Sequence, residues 1–353
     1  MMTKPGYRFA LFATLLAAVV VILGAYTRLS HSGLGCPDWP GCYGFIGVPM
    51  SEHAQGLAQS RFPAAPVEVA KGWAEMIHRY FAGTLGLVML GLAVHALRQH
   101  GRAGQPVKLP LLLLGLVIVQ AAFGMWTVTL KLWPQVVTLH LLGGFATLSL
   151  LFLLTVRLSG KAPTIPSIPP RLRLLAGAAL ALVIGQIALG GWVSSNYAAV
   201  ACVDLPKCHG EWWPAMDFAN GFHLSQHIGP NYLGGQLDSD ARTAIHMTHR
   251  VGALLVTCML LLLAWQLRAA RLKRLATGVL LALAVQVCLG ISNVIFHLPL
   301  LVAVAHNAGG AVLLMCMVLV NYCVRVPATA YARAATAKTA LLQKSDVVRA
   351  SNA

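Results

Sequence analysis

The chain has 353 residues, of which 58% are hydrophobic and only 10% charged, and its mean hydropathy is +0.71. Soluble chains average about 25% charged and about 45–50% apolar residues, so a soluble globule, a disordered chain, a fibre and a small disulfide scaffold are excluded in favour of an integral membrane protein. The 26 Lys and Arg against 10 Asp and Glu, a balance of +16, read as a topology signal, because cationic loops stay on the cytoplasmic side; no nucleic-acid partner is needed to explain them.

Crossing ~30 Å of hydrocarbon takes about 20 helical residues. Stretches near 9–28, 74–97, 109–130, 134–156, 172–195, 243–267, 275–296 and 298–324 meet that requirement and predict an all-α integral membrane protein with eight transmembrane helices. Lys4 and Arg8 precede the first stretch as in a signal peptide, but its apolar run continues through Thr27 without a small-residue cleavage site, which reads as a retained helix. With eight spans, both termini and the loops near 98–108, 157–173 and 268–274 share one side. That side holds 18 of the 26 basic residues and a single acid, Asp346, while the other nine acids fall chiefly in loops 29–73 and 196–242. The expectation is a multi-pass protein of the cell (inner, cytoplasmic) membrane, embedded in the lipid bilayer. Both termini would be cytoplasmic, the two long loops would face outward, and 326–353 would form a cytoplasmic basic tail.

The chain also repeats itself. Residues 24–42, GAYTRLSHSGLGCPDWPGC, align with 190–208, GGWVSSNYAAVACVDLPKC, and the five identities include both cysteines, the Asp and the Pro. The same spacing of 166 relates Gln120 to Gln286, Gly124 to Gly290, His140 to His306 and Gly143-Gly144 to Gly309-Gly310, while His78-Arg79 relates to His249-Arg250 at 171. Each half carries four spans, an even number, so both insert in one orientation. Two four-helix bundles related by a pseudo-twofold along the membrane normal follow, with an N-terminal bundle over 9–157 and a C-terminal bundle over 171–325.

Four of the 13 histidines lie inside spans at matched places: His78 and His249 in the second and sixth, His140 and His306 in the fourth and eighth. Counted from the outer span ends, at 1.5 Å per residue, all four sit roughly 8–10 Å deep. A lone intramembrane histidine often only hydrogen-bonds a neighbouring helix; two matched pairs point to a ligand, and two imidazoles facing each other suit the axial positions of a haem iron. Zinc wants three or four clustered donors, and each half offers two His plus at most one Glu. Gly143-Gly144 and Gly309-Gly310 would let a flat ring approach the backbone beneath His140 and His306. Arg79 and Arg250 could pair with haem propionates, or with lipid phosphate. The histidines of the loops (His31, His53, His209, His223 and His227) receive no role.

The halves differ at one position. Glu75 stands three residues before His78, on the same helix face, and its counterpart before His249 is His246. An intramembrane carboxylate is a functional candidate by default, able to move protons or stabilise a developing positive charge. The structural alternative is a salt bridge with Arg79 or Arg28. Of the eight cysteines, Cys258, Cys288, Cys316 and Cys323 read as small apolar residues. Cys36/Cys42 and Cys202/Cys208 fall in outward loops, where an oxidising compartment favours disulfides, either as structural staples or as redox-active pairs.

TRLSHSGLGCPDWPGC, EMIHRYFAG, IHMTHRVGA and AVAHNAGG together closely resemble the bacterial haem A synthase family, whose mitochondrial relatives serve cytochrome oxidase assembly. The resemblance runs over about 10–325. It implies oxidation of a methyl group of haem O to the formyl group of haem A, with the oxygen drawn from water. His249 and His306 would ligate a resident haem b, His78 and His140 would hold the substrate haem O, and Glu75 would be essential beside it. Haem O synthase and cytochrome oxidase assembly factors would be the neighbouring partners. A dihaem b electron carrier serving quinone is the rival reading, but a pure relay has no need of a carboxylate in one half only.

Overall fold

In the computed structural model, residues 3–102, 105–160 and 168–325 are described; the expected tail at 326–353 lies outside them. The helices run in the order α1 (Tyr7–Leu29), α2 (Glu52–Arg61), α3 (Val69–Arg98), α4 (Lys108–Thr129), α5 (Pro134–Ser159), α6 (Pro170–Ser195), α7 (Phe218–Gly221), α8 (Ser239–Ala269), α9 (Lys273–Ile295) and α10 (Leu300–Arg325). Eight of these are long and apolar enough to cross a membrane; α2 and α7 are short helices of the two long loops. The protein is therefore a multi-pass, all-α membrane protein, as its hydropathy requires.

Two helices start earlier than their apolar runs. α3 begins at Val69 and α8 at Ser239, so each adds more than a turn, VAKGW and SDAR, ahead of the stretches 74–97 and 243–267. Hydropathy measures the hydrocarbon slab, whereas a helix continues past it wherever polar turns can be solvated. His78 and His249 consequently sit nine and ten residues into their helices, against six for His140 and His306.

Within the first half α1 packs on α3 and α5, and α4 on α5; within the second, α6 packs on α8 and α10, and α9 on α10. The halves meet through α5–α6, α1–α10 and α5–α10. Exchanging each helix for its duplicate returns the same set of pairs, which is consistent with a pseudo-twofold between two four-helix sets. Small residues permit the close approaches, as is usual between membrane helices: Ala10, Ala13 and Ala17 on α1, Ala176 and Ala179 on α6, all buried. Polar cross-links recur at equivalent places. Thr14 and Thr155 hydroxyls lie 2.9 Å apart between α1 and α5, and Asn321 Nδ2 donates to the Ala176 carbonyl at 2.8 Å between α10 and α6.

The duplication extends to backbone conformation where side chains have diverged. Left-handed φ values recur 166 positions apart at His31 and Tyr197 (56° and 55°), Tyr43 and His209 (57° and 55°), and Leu132 and Leu298 (62° and 62°). One chain trace thus serves both halves, and their differences lie in the side chains it carries.

Candidate functional site

The site begins at the two long loops, at what is called here the disulfide end of the helices. Cys36–Cys42 and Cys202–Cys208 are both closed as disulfides. Inside the first ring the Asp38 carboxylate accepts the N–H groups of Tyr43 (2.6 Å) and Gly44 (2.7 Å); inside the second, Asp204 accepts those of His209 (2.9 Å) and Gly210 (2.9 Å). The Cys, Asp and Pro identities in the repeat are thus the parts of one loop design built twice. The Gly210 N–H, foremost, holds the Asp204 carboxyl below its ordinary range.

Each loop is tied down by the arginine that follows a span histidine. Arg79 donates to the carbonyls of Asp38 (3.0 Å), Pro40 (3.3 Å) and Gly41; Arg250 donates to those of Lys207 (2.9 Å) and Cys202 (3.1 Å). Sequence reasoning aimed these guanidiniums at ligand carboxylates. Both do line the central cavity, and part of their donor capacity is spent on the loops: one amino group of Arg79 and one bond from each amino group of Arg250.

Glu75 is 4% exposed and also binds the first loop. Its carboxylate accepts the Cys36 N–H at 2.9 Å and pairs with Arg79. Of the two possible salt-bridge partners, Arg79 is therefore the actual one. Arg28 instead joins the halves, donating to the Tyr197 hydroxyl at 2.7 Å and the Ser194 carbonyl at 2.6 Å. In the second half His246 replaces the carboxylate and lies, through Nδ1, 3.0 Å from the Ala198 carbonyl.

One apolar-walled cavity of about 1930 Å³ receives all four span histidines, His78, His140, His249 and His306, together with Glu75 and His246. A small-molecule pocket occupies roughly 300–1,000 Å³, so there is room for more than one large ligand. Each imidazole lies against a glycine of a neighbouring helix. A Cβ at Gly24 would stand 2.9 Å from His78 Cε1, at Gly190 3.2 Å from His249 Cε1, at Gly290 3.1 Å from His306 Cε1, and at Gly124 3.5 Å from His140 Cε1. These four glycines are two repeat-related pairs, and at Gly24, Gly190 and Gly290 the missing Cβ lets the ring approach the backbone more closely than a side chain would allow.

The glycines singled out in the sequence have a divided role. Gly144 and Gly310 line the cavity as expected, but Gly143 and Gly309 make room for the side chains of Gln120 and Gln286, which a Cβ would strike. Gln286 Nε2 comes within 3.4 Å of His306 Nε2. Gln186, which sequence reasoning passed over, places its amide 3.0 Å from His249 Nδ1 and donates to the His249 carbonyl at 2.9 Å. Its position corresponds to Val20 in the first half, so the repeat alignment offered no matching residue to flag it.

The arrangement fits a porphyrin. Nδ1 of His78, His140 and His306 is buried without a hydrogen-bond partner, and the two imidazoles of each half would be available to hold the iron of such a group. Among the described residues no three His, Cys, Asp or Glu cluster closely enough to hold a bare metal ion. Fold and site together define a helical membrane protein with paired histidines of neighbouring helices lining one apolar cavity. The COX15-CtaA family, described as cytochrome oxidase assembly protein, matches residues 7–318, and the chain belongs to that family. It is similar to the Heme A synthase of Shewanella oneidensis, 48% identical over 89% of this chain and 94% of that one. It also resembles the Heme A synthases of Methylobacterium radiotolerans, 30% identical over 84% of this chain and 83% of that one, and of Rhizorhabdus wittichii, 28% identical over 86% and 89%.

Proposed function

We propose that the chain is a haem A synthase, an oxidoreductase that converts a methyl group of haem O to the formyl group of haem A. The observation that carries this reading is the combination of four histidines on one cavity with a buried carboxylate, Glu75, in one half only. His78 and His140 hold the substrate haem O, and His249 and His306 hold a resident haem b, which supplies a redox centre for the electrons removed. The N-terminal half, 9–157, is thus the substrate unit and the C-terminal half, 171–325, the cofactor unit.

Glu75 is the catalytic group. Oxidising a methyl group with water oxygen releases protons and builds positive charge at the carbon; a carboxylate beside His78 can accept the one and stabilise the other. Arg79 and the Cys36 N–H fix its oxygens, so it needs little reorganisation. Because those partners belong to or grip the first disulfide loop, the Cys36–Cys42 ring acts as a positioning element for Glu75. The disulfide end faces outward, both termini are cytoplasmic, and the membrane is the cell inner membrane; the basic residues gathered at the other end support that orientation. Haem O synthase and cytochrome oxidase assembly factors are the partners that supply substrate and take product.

Co-expression with a haem O supply, followed by chromatography of the extracted haems, tests the proposal. A synthase yields haem A with one tightly bound haem b; two stoichiometric haems b and no haem A would identify an electron carrier instead.

A further inference from the structure

The two halves of the cavity differ in depth. On the α3–α4 side its wall includes Leu87 and Leu90 of α3 and Leu114 of α4, whereas on the α8–α9 side it ends at Thr257 and Leu283. By the repeat spacing Thr257 corresponds to Gly86 and Leu283 to Val117. The first-half wall therefore runs four residues further along α3 and three along α4, about 6 Å and 4.5 Å, away from the disulfide end.

Side chains account for the difference. Gly83 and Gly86 stand on the wall where the second half carries Leu254 and Thr257, and Ala121 stands where it carries Val287. Glycines in membrane helices usually let a neighbouring helix close in, but a Cβ at Gly83 or Gly86 would meet nothing within 4 Å. Gly83 is exposed and Gly86 half-buried, so the space beside them is a groove open to the lipid-facing surface, and the cavity lining runs on from His78 through both glycines to Leu87, which is 72% exposed.

We propose that this groove is the subsite for the long isoprenoid tail of the substrate haem, and that Gly83 and Gly86 are its specificity-determining residues. The proposal rests on the reading of the first half as the haem O site. An isoprenoid chain carries no polar atom that needs a partner, so an apolar channel open to the bilayer accommodates it. Burial against protein offers it little gain, because lipid tails are as apolar as leucine; selectivity comes from exclusion. Leu254 and Thr257 narrow the corresponding path in the second half, where Leu254 is itself 64% exposed, so a porphyrin without the tail is favoured there. The groove thus sorts haem O from haem b between two otherwise similar histidine pairs.

The test is titration of the full-length protein in nanodiscs with haem O and, separately, haem b, read by absorbance and by chromatography of the retained pigment. Gly83→Leu with Gly86→Thr should weaken His78-dependent haem O binding at least tenfold while the second-half haem b stays bound. The reciprocal Leu254→Gly with Thr257→Gly should let haem O into the second half, and it decides the matter if the first double variant loses all pigment through misfolding. Unchanged haem O affinity in the first variant, or exclusion of haem O from the second half of the reciprocal one, would overturn the groove. Loss of co-purified phospholipid with haem O affinity unchanged would assign the groove to a lipid chain and overturn it equally. Haem O binding that survives His78→Ala in the otherwise wild-type protein would instead sink the underlying assignment of the substrate site.

Discussion

Gly24→Ala tests the histidine cradle most directly. Its new Cβ would lie 2.9 Å from His78 Cε1 and 3.4 Å from both ring nitrogens, where carbon pairs are content at about 3.5–4.0 Å. The ring must therefore move by roughly half an ångström, away from the line on which it meets a ligand. Overpacking of this kind costs about 1–3 kcal/mol, and at about 1.4 kcal/mol per decade that is roughly 5- to 150-fold in haem O affinity. Helix formation does not offset it in the wrong direction, since Ala is the better helix former by about 1 kcal/mol. The protein contains its own control: at Gly124 the Cβ would sit 3.5 Å from His140 Cε1, an ordinary contact, so Gly124→Ala should change affinity by less than threefold. Titration with haem O, followed at the Soret band, reads both. Equal affinities for Gly24→Ala, Gly124→Ala and wild type would refute the idea that these glycines set the ring positions.

Glu75→Gln keeps the side-chain shape but removes the charge that faces Arg79; haem A output measured by extraction should fall by well over tenfold while the second-half haem b is retained, and normal output would refute the catalytic assignment. Breaking a buried pair outright, as in Glu75→Ala, costs about 3–5 kcal/mol and should in addition expose the 36–42 loop to protease. His249→Ala or His306→Ala should empty the resident site, so that undiminished haem b content in the purified protein would argue against that ligand pair. The Asp204 carboxyl is held below its ordinary value, first by the Gly210 N–H, so its contribution to the second loop is present above the unfolded pKa of about 3.9 and lost as pH falls through the lower folded value. Hydrogen-exchange protection of the His209 and Gly210 amides, taken relative to their intrinsic exchange rates, should accordingly fall below about pH 4 in wild type, and Asp204→Asn should remove that dependence; unchanged protection across this range in wild type would contradict it.

What the sequence made legible was whatever a single helix or a fixed spacing can carry. Hydropathy located eight spans because the hydrocarbon slab acts on each segment alone, and the 166-residue spacing tied Cys36 to Cys202 and His140 to His306. It missed the true starts of α3 and α8, since Val69–Gly72 and Ser239–Arg242 are too polar to register as span. Glycine roles were only half legible. Gly143 is adjacent in sequence to the cavity glycine Gly144, yet its missing Cβ serves Gln120 on another helix, while the cradle glycine Gly24 looked like one identity among several. A glycine's purpose is set by the neighbour that fills its space, and that neighbour is 54 residues away for Gly24 and His78. Arg79 was legible only in part: a cation at the span edge suggests an anion, and one is there in Glu75, but the loop carbonyls that its other amino group also meets come from residues 38–41, far away in sequence.

Divergence between the halves is greatest at the two ends of the cavity, although beside the histidines Gln186 of the second half stands where the first carries Val20. The histidines and their cradle glycines are the same in both copies, as expected if both grip the same chemical unit, an iron porphyrin, by its axial positions. At the disulfide end Glu75 faces His246, and toward the other end Gly83 and Gly86 face Leu254 and Thr257. A substrate haem differs from a resident one in two respects, a group that must react and a tail that must be housed, and on a porphyrin these are attached at its periphery. A duplicated site assigned to substrate and cofactor would accumulate differences around the ring edge while keeping its iron ligation constant. Neither asymmetry alone demands that assignment, because a lone carboxylate can be structural and a lone groove can hold lipid. Both fall in the same half, on α3, with Gly83 and Gly86 eight and eleven residues after Glu75, so on the proposed assignment one helix would carry both of the differences that a substrate site needs.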